Sequence, residues 1–131
     1  MIKNNPVGWF EIYVDDMPRA KKFYESVFEV KLQNIQNPAT VDSNIEMWAF
    51  PGEMATYGAP GAIVKIKGCD AGRNSVIIYF SCKDCAVEEE RVKKFGGSVH
   101  HSKMSIGQYG FMSLVYDSEG NMIGLHTAPA M

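Results

Sequence analysis

Two segments of this chain open in the same way, and that repetition narrows the possible folds more than any other feature. Residues 9–14 (WFEIYV) read as a strand, with Phe10, Ile12 and Val14 on one face and Trp9, Glu11 and Tyr13 on the other. Asp15 and Asp16 follow as helix N-cap candidates, and Pro18 suits the first helical turn. Ala20, Phe23, Tyr24, Val27 and Phe28 then recur at the spacing of one face of an amphipathic helix. Residues 76–82 (VIIYFSC) repeat the strand, and Lys83-Asp84 takes the place of the acidic pair. Residues 85–95 repeat the helix, which Gly96-Gly97 stops. Its charge run, Glu88 to Glu90 with Arg91, Lys93 and Lys94, reads as a solvated face.

Three strand-like runs follow each helix. In the first half they are residues 30–36, 44–50 and 63–67, with a break at Asn37, Pro38 and Ala39 and a Gly- and Pro-rich loop at 51–62. In the second half they are 98–101, 111–116 and 122–127, with a mobile loop at 102–110 and a hairpin turn at 117–121. A strand–helix–strand–strand–strand unit does not bury its own apolar face. The repeat therefore predicts one α+β domain over residues 1–131, built from module one at about 6–67 and module two at about 74–128.

The chain of 131 residues is long enough for a real core. Its formal net charge of -2 and lack of a basic run argue against nucleic acid as a partner. No stretch is long and apolar enough for a membrane span, and MIKNNPVGW lacks the apolar core of a signal peptide. A cytoplasmic protein with three reduced cysteines is expected.

The stretches FEIYVDDMPRAKKFYESVF, FGGSV and IGQYGFMSLVYDSEGNMIGLH, in this order across two βαβββ modules, resemble the vicinal oxygen chelate superfamily. That family includes glyoxalase I, bleomycin-resistance proteins and extradiol dioxygenases. The resemblance implies a cupped, barrel-like mixed sheet with helices outside and a cavity inside, often in a homodimer that sometimes shares the cavity between chains. It also implies a divalent metal on four His, Glu or Gln side chains from the first and last strands of the modules. The matching positions here are Trp9, about Ile77, Gly124, and Ile63 or Lys65. Trp and Ile offer no suitable lone pair, Gly has no side chain and Lys is cationic. The family metal is therefore not expected: no metal ligand and no cofactor.

By alternation, Trp9, Glu11 and Tyr13 then turn into the cavity, as do Ile77, Tyr79 and Ser81, and Gly124 and His126 on the last strand. Glu11 and His126 are candidates for general acid–base catalysis; the alternative is a buried structural hydrogen bond between them. Trp9, Tyr13, Trp48, Phe50 and Tyr79 are candidates for an aromatic wall around a flat organic ligand, with Tyr109 from the 102–110 loop. Lys65 faces either the same cavity or water at the rim. Cys82 and Cys85 sit where a helix N-terminus lowers a thiol pKa, which suits a redox or interaction role. His100 and His101 are adjacent on a strand and point to opposite faces. The expected function is binding of an unknown small organic molecule between the modules, as a binder or as an enzyme using Glu11 and His126. The alternative is a metal-dependent lyase or dioxygenase with ligands at other positions.

Overall fold

The computed structural model describes residues 7, 9–35, 45–53, 56–72 and 74–129. The expected break at Asn37, Pro38 and Ala39, and the strand start at Asn44, lie outside them. Module one contains β1 (Phe10–Tyr13), α1 (Met17–Phe28), β2 (Gln33–Asn34), β3 (Ile45–Ala49) and β4 (Gly61–Ile66). Module two contains β5 (Tyr79–Ser81), α2 (Cys85–Lys94), β6 (Ser98–Ser105), β7 (Phe111–Tyr116) and β8 (Met122–Thr127). The four strands of each module form one mixed sheet. Their orders, β1-β4-β3-β2 and β5-β8-β7-β6, are the same arrangement twice, with only the first pair of each parallel. The two sheets are cupped and do not close into a barrel.

Asp16 and Asp84 do what their position dictates. The Asp16 carboxylate accepts from the Arg19 N–H at 3.0 Å, and the Asp84 carboxylate from the Ala86 N–H at 3.1 Å. Each caps a helix whose first-turn N–H groups have no partner of their own. The apolar stripe of α1 is fully buried at Ala20, Phe23, Tyr24 and Val27. It packs on Ile12 and Ile63, which are paired across β1 and β4. Helix α2 contributes Cys85 and Val92 to the same core, beside Val115, Ile123 and Leu125 of the second sheet. One core thus serves both modules. Where they meet, the Phe28 and Phe80 rings stack at 4.4 Å, and Phe10 meets Phe80 edge-on at 6.1 Å.

A second inter-module contact is polar. The turn between β7 and β8, residues 117–121, docks on the β1–α1 corner. The Glu119 carboxylate accepts from Arg19 Nε at 2.6 Å and Nη2 at 2.8 Å, and from the Asp16 and Asp15 N–H groups at 2.9 and 3.1 Å. The Tyr24 hydroxyl donates to Asp117 at 2.6 Å, and the Asn121 amide donates to the Tyr13 carbonyl at 2.8 Å. The segment expected to be only a hairpin turn is also a clasp between modules.

Several boundaries differ from the sequence reading. Among the described residues of the expected 30–36, β2 keeps only Gln33–Asn34, and three further strands differ as well. Strand β4 starts at Gly61, inside the expected loop, at a residue where the Phe10 ring leaves no room for a Cβ. Strand β6 runs on to Ser105 through two register shifts, so the first part of the expected 102–110 loop is bulged strand. Only Gly107–Tyr109 remains as a 3-10 turn. Strand β5 is short, because Asn74 binds the Val76 and Met122 carbonyls through its side-chain amide and replaces part of the expected ladder.

Candidate functional site

Strand register decides which candidate residues share a face. On β1, Glu11 and Tyr13 pair with Ala62 and Val64, opposite to the helix-packed Ile12 and Ile63. On β5 and β8, Tyr79 pairs with Gly124 and Ser81 with His126, opposite to the buried Phe80 and Leu125. Neither helix covers these faces. Trp48 is different: it pairs with Ile63, and the Lys21 ammonium of α1 sits 3.4 Å from its ring centroid. Trp48 therefore lies on the helix side, packed against the core, and not on the expected wall. Phe50 also packs into that core, 5.4 Å from Tyr24. Lys65 shares the helix-side face with Ile63 and is exposed.

Glu11 and His126 have separate partners. The Glu11 carboxylate accepts from Trp9 Nε1 at 3.1 Å and from the Tyr13 hydroxyl at 3.0 Å. These three residues form a closed set along one strand face, and the bond to Glu11 raises the Tyr13 pKa. The His126 ring meets the Tyr109 carbonyl at 2.8 Å. A carbonyl can only accept, so Nε2 carries the proton. Tyr109 thus reaches this face through its backbone, and its side chain is exposed.

Among the described residues, cavities between the modules include the following two. One, of about 270 Å³, is lined by Glu11, Tyr13, Asp70, Asn74 and Asn121 with Ile78, Met122 and Ile123 among others. The other, of about 510 Å³, has walls of Phe10, Phe28, Val30, Phe50 and Phe80, with residues 51–53 and 56–60 along one side. Tyr79, Ser81, Cys82, Lys83 and Glu88 complete it. Of the candidate residues, Glu11 and Tyr13 line the first, and Phe50 and Tyr79 the second. Trp9, Trp48, Lys65, Tyr109 and His126 line neither.

Sequence reasoning missed Phe28, Phe80 and Glu88 as cavity walls. The two aromatics read as core, which they also are, and Glu88 belonged to the run read as solvated. That run is not uniformly in water. Glu89 is buried and accepts from the Lys103 N–H at 2.7 Å, while Glu88 lies against the cavity. The cysteines differ from expectation too. Cys82 and Cys85 are buried, and burial together with the nearby Glu88 pushes the Cys82 thiol up to about 12. Desolvation and a neighbouring carboxylate outweigh the helix dipole there.

The positions that would hold the family metal do not fit one. Trp9 is committed to Glu11, and Ile77 and Lys65 are not donors for a hard cation. At Gly124 the carboxylate is not merely missing: the Tyr79 ring occupies the place where a Cβ would stand. Among the described residues, no three His, Cys, Asp or Glu side chains are grouped so as to hold an ion.

Comparison with known proteins agrees with this fold. A glyoxylase-like domain-containing protein of Didymella fabae is 25% identical over 130 residues, covering 98% of each chain. Maize glyoxalase I superposes with a TM-score of 0.69 at 16% identity, over 93% of this chain and 46% of that one. TnmS3, an antibiotic binding protein from a Streptomyces species, superposes with a TM-score of 0.63 at 19% identity, over 98% of this chain and 100% of that one. The family model of the glyoxalase/bleomycin resistance protein/dioxygenase superfamily matches residues 7–125, and the chain belongs to that superfamily.

Proposed function

We propose that this protein binds a small organic molecule between its two modules, in the aromatic cavity of about 510 Å³, and does so without the family metal. The observation that carries this reading is the wall itself. Phe10, Phe28 and Phe50 come from module one and Phe80 from module two, so a ligand there touches both. A cavity of this size with aromatic walls and a few polar groups is what a small-molecule site needs. TnmS3, of the same fold, is an antibiotic binding protein, which supports a binding role. Acid–base catalysis by Glu11 and His126 has less support, since each already has its own partners.

The test is equilibrium binding of small aromatic probes to untagged protein, with elemental analysis of the same sample. Saturable binding that weakens in Phe80→Ala is expected. One divalent ion per chain would overturn the metal-free reading in favour of a metal-dependent lyase or dioxygenase with other ligands.

Two further expectations belong to this proposal. Trp9, Ile45, Tyr79 and Met104 stand exposed on the sheet faces that neither helix covers, which supports a homodimer. Sedimentation equilibrium would show a monomer if that is wrong. The three unpaired thiols suit a cytoplasmic setting, and no helix among the described residues is long and apolar enough to cross a membrane.

A further inference from the structure

Glu88 lies in the first turn of α2, and its side chain is 14% exposed at the wall of the aromatic cavity. Its Oε1 atom is buried and has no hydrogen-bond partner among the described residues. Buried polar atoms are almost always bonded, so a carboxylate at a cavity wall with an oxygen left unpaired can take a further donor from a bound molecule. Nor is the second oxygen strongly held. Arg91 Nη1 lies 3.7 Å from Glu88 Oε2, and that guanidinium is turned to Glu29 at 3.2 Å and to the Val27 carbonyl at 3.2 Å.

The other charged groups of the cavity are Glu53 and Lys83, both exposed. The buried charge is therefore negative. The Cys82 thiol beside Glu88 stays protonated, and burial is the main reason. One carboxylate and one neutral thiol are too few for a metal ion. Aromatic faces and a single desolvated carboxylate instead complement an organic ammonium. The rings take the apolar body and attract the positive charge, while the carboxylate accepts a charge-assisted bond.

We propose that the cavity selects hydrophobic organic cations, with the ammonium group on the Glu88 carboxylate and the apolar body against Phe10, Phe28, Phe50 and Phe80. This rests on the aromatic cavity being the ligand site, and it adds the chemical class of ligand.

Three probes with one apolar body test it: naphthylmethylamine, naphthylmethanol and naphthoate, titrated calorimetrically at neutral pH. The amine should bind about tenfold more tightly than the alcohol, a difference set by one charge-assisted bond, with naphthoate weakest. In Glu88→Gln, the amine should lose more affinity than the alcohol and fall to within about threefold of it. Equal affinities in the wild-type protein, or a preference for naphthoate, would overturn the cation assignment and leave the cavity as a site. So would a Glu88→Gln variant that still prefers the amine. Failure of all three probes to bind would overturn the cavity itself. The wild-type comparison needs no variant, so it stands even if Glu88→Gln folds poorly.

Discussion

Replacing Glu119 with Ala removes the centre of the inter-module clasp. The Glu119 side chain is fully buried and accepts two bonds from Arg19 and one each from the Asp15 and Asp16 N–H groups. A bond to a charged acceptor contributes about 1.5 kcal/mol or more when buried. Both N–H groups sit at a partly open corner where water can replace part of the loss. The expected destabilisation for Glu119→Ala is therefore about 2–3 kcal/mol. In a chain of this length that lowers Tm by roughly 10 °C.

The pH dependence separates the charge from the packing. Burial works against the ionised carboxylate, but the Arg19 guanidinium, the Asp16 N–H, the Ser118 hydroxyl and the Asp15 N–H overcome it and hold Glu119 below its usual range. A folded-state pKa below the unfolded one gives stability that is present above the unfolded value, about 4.3, and lost as pH falls through the folded value. Urea denaturation of wild type and Glu119→Gln at several pH values measures this. The gap should be constant near neutrality and shrink below about pH 4. A gap that stays constant to pH 3, or Glu119→Ala within about 0.5 kcal/mol of wild type, would refute the clasp as a source of stability.

Three other outcomes follow from the same geometry. Burial raises the Asp117 pKa against the bonds from Tyr24 and Asn121, so wild type should gain stability relative to Asp117→Asn as pH falls through the raised value toward about 4. That slope is opposite to the one for Glu119, and urea denaturation at matched pH values reads both. Gly124→Ala should cost about 1–2 kcal/mol through collision with the Tyr79 ring, and a double-mutant cycle with Tyr79→Ala should remove most of that cost. Iodoacetamide in mild alkali should modify exposed Cys69 quickly, buried Cys85 only at the rate of unfolding, and Cys82, whose thiol is held protonated at the cavity wall, slowly.

The sequence makes local structure legible and long-range geometry much less so. The Asp16 and Asp84 caps and the Ala20–Val27 stripe depend on neighbours within a few residues, and the structure keeps them. The doubled βαβββ pattern is legible for the same reason, since each module is a run of local elements in order. The face of Trp48 is not, because it follows from the pairing of β3 with β4 across a loop. The clasp is less legible still: Glu119 and Arg19 are 100 residues apart, and DSEGN carries the composition of any turn. In the run from Glu88 to Glu90, nothing in the residue types tells which acid turns inward. That depends on where β6 and the cavity meet α2.

The clasp and the aromatic cavity lie at opposite ends of α1. Arg19 and the Asp15–Asp16 corner stand at its start, while Phe28 and Val30 reach the cavity from its end. Twelve helical residues span about 18 Å, and a packed helix moves as a rigid rod. Because Phe28 stacks on Phe80 of the other module, a rod released at its start shifts a wall that both modules share. Loosening the clasp therefore reduces the fraction of molecules with a formed cavity, and apparent affinity falls by that fraction. Glu119→Ala should weaken naphthylmethylamine and naphthylmethanol by the same factor, since it changes how often the cavity exists and not what it prefers. Glu88→Gln should weaken the amine more than the alcohol. If Glu119→Ala altered the ratio between the two probes, or left both affinities untouched while lowering Tm, the cavity would be set by module two and by residues 51–53 and 56–60, not by the angle that α1 holds between the modules.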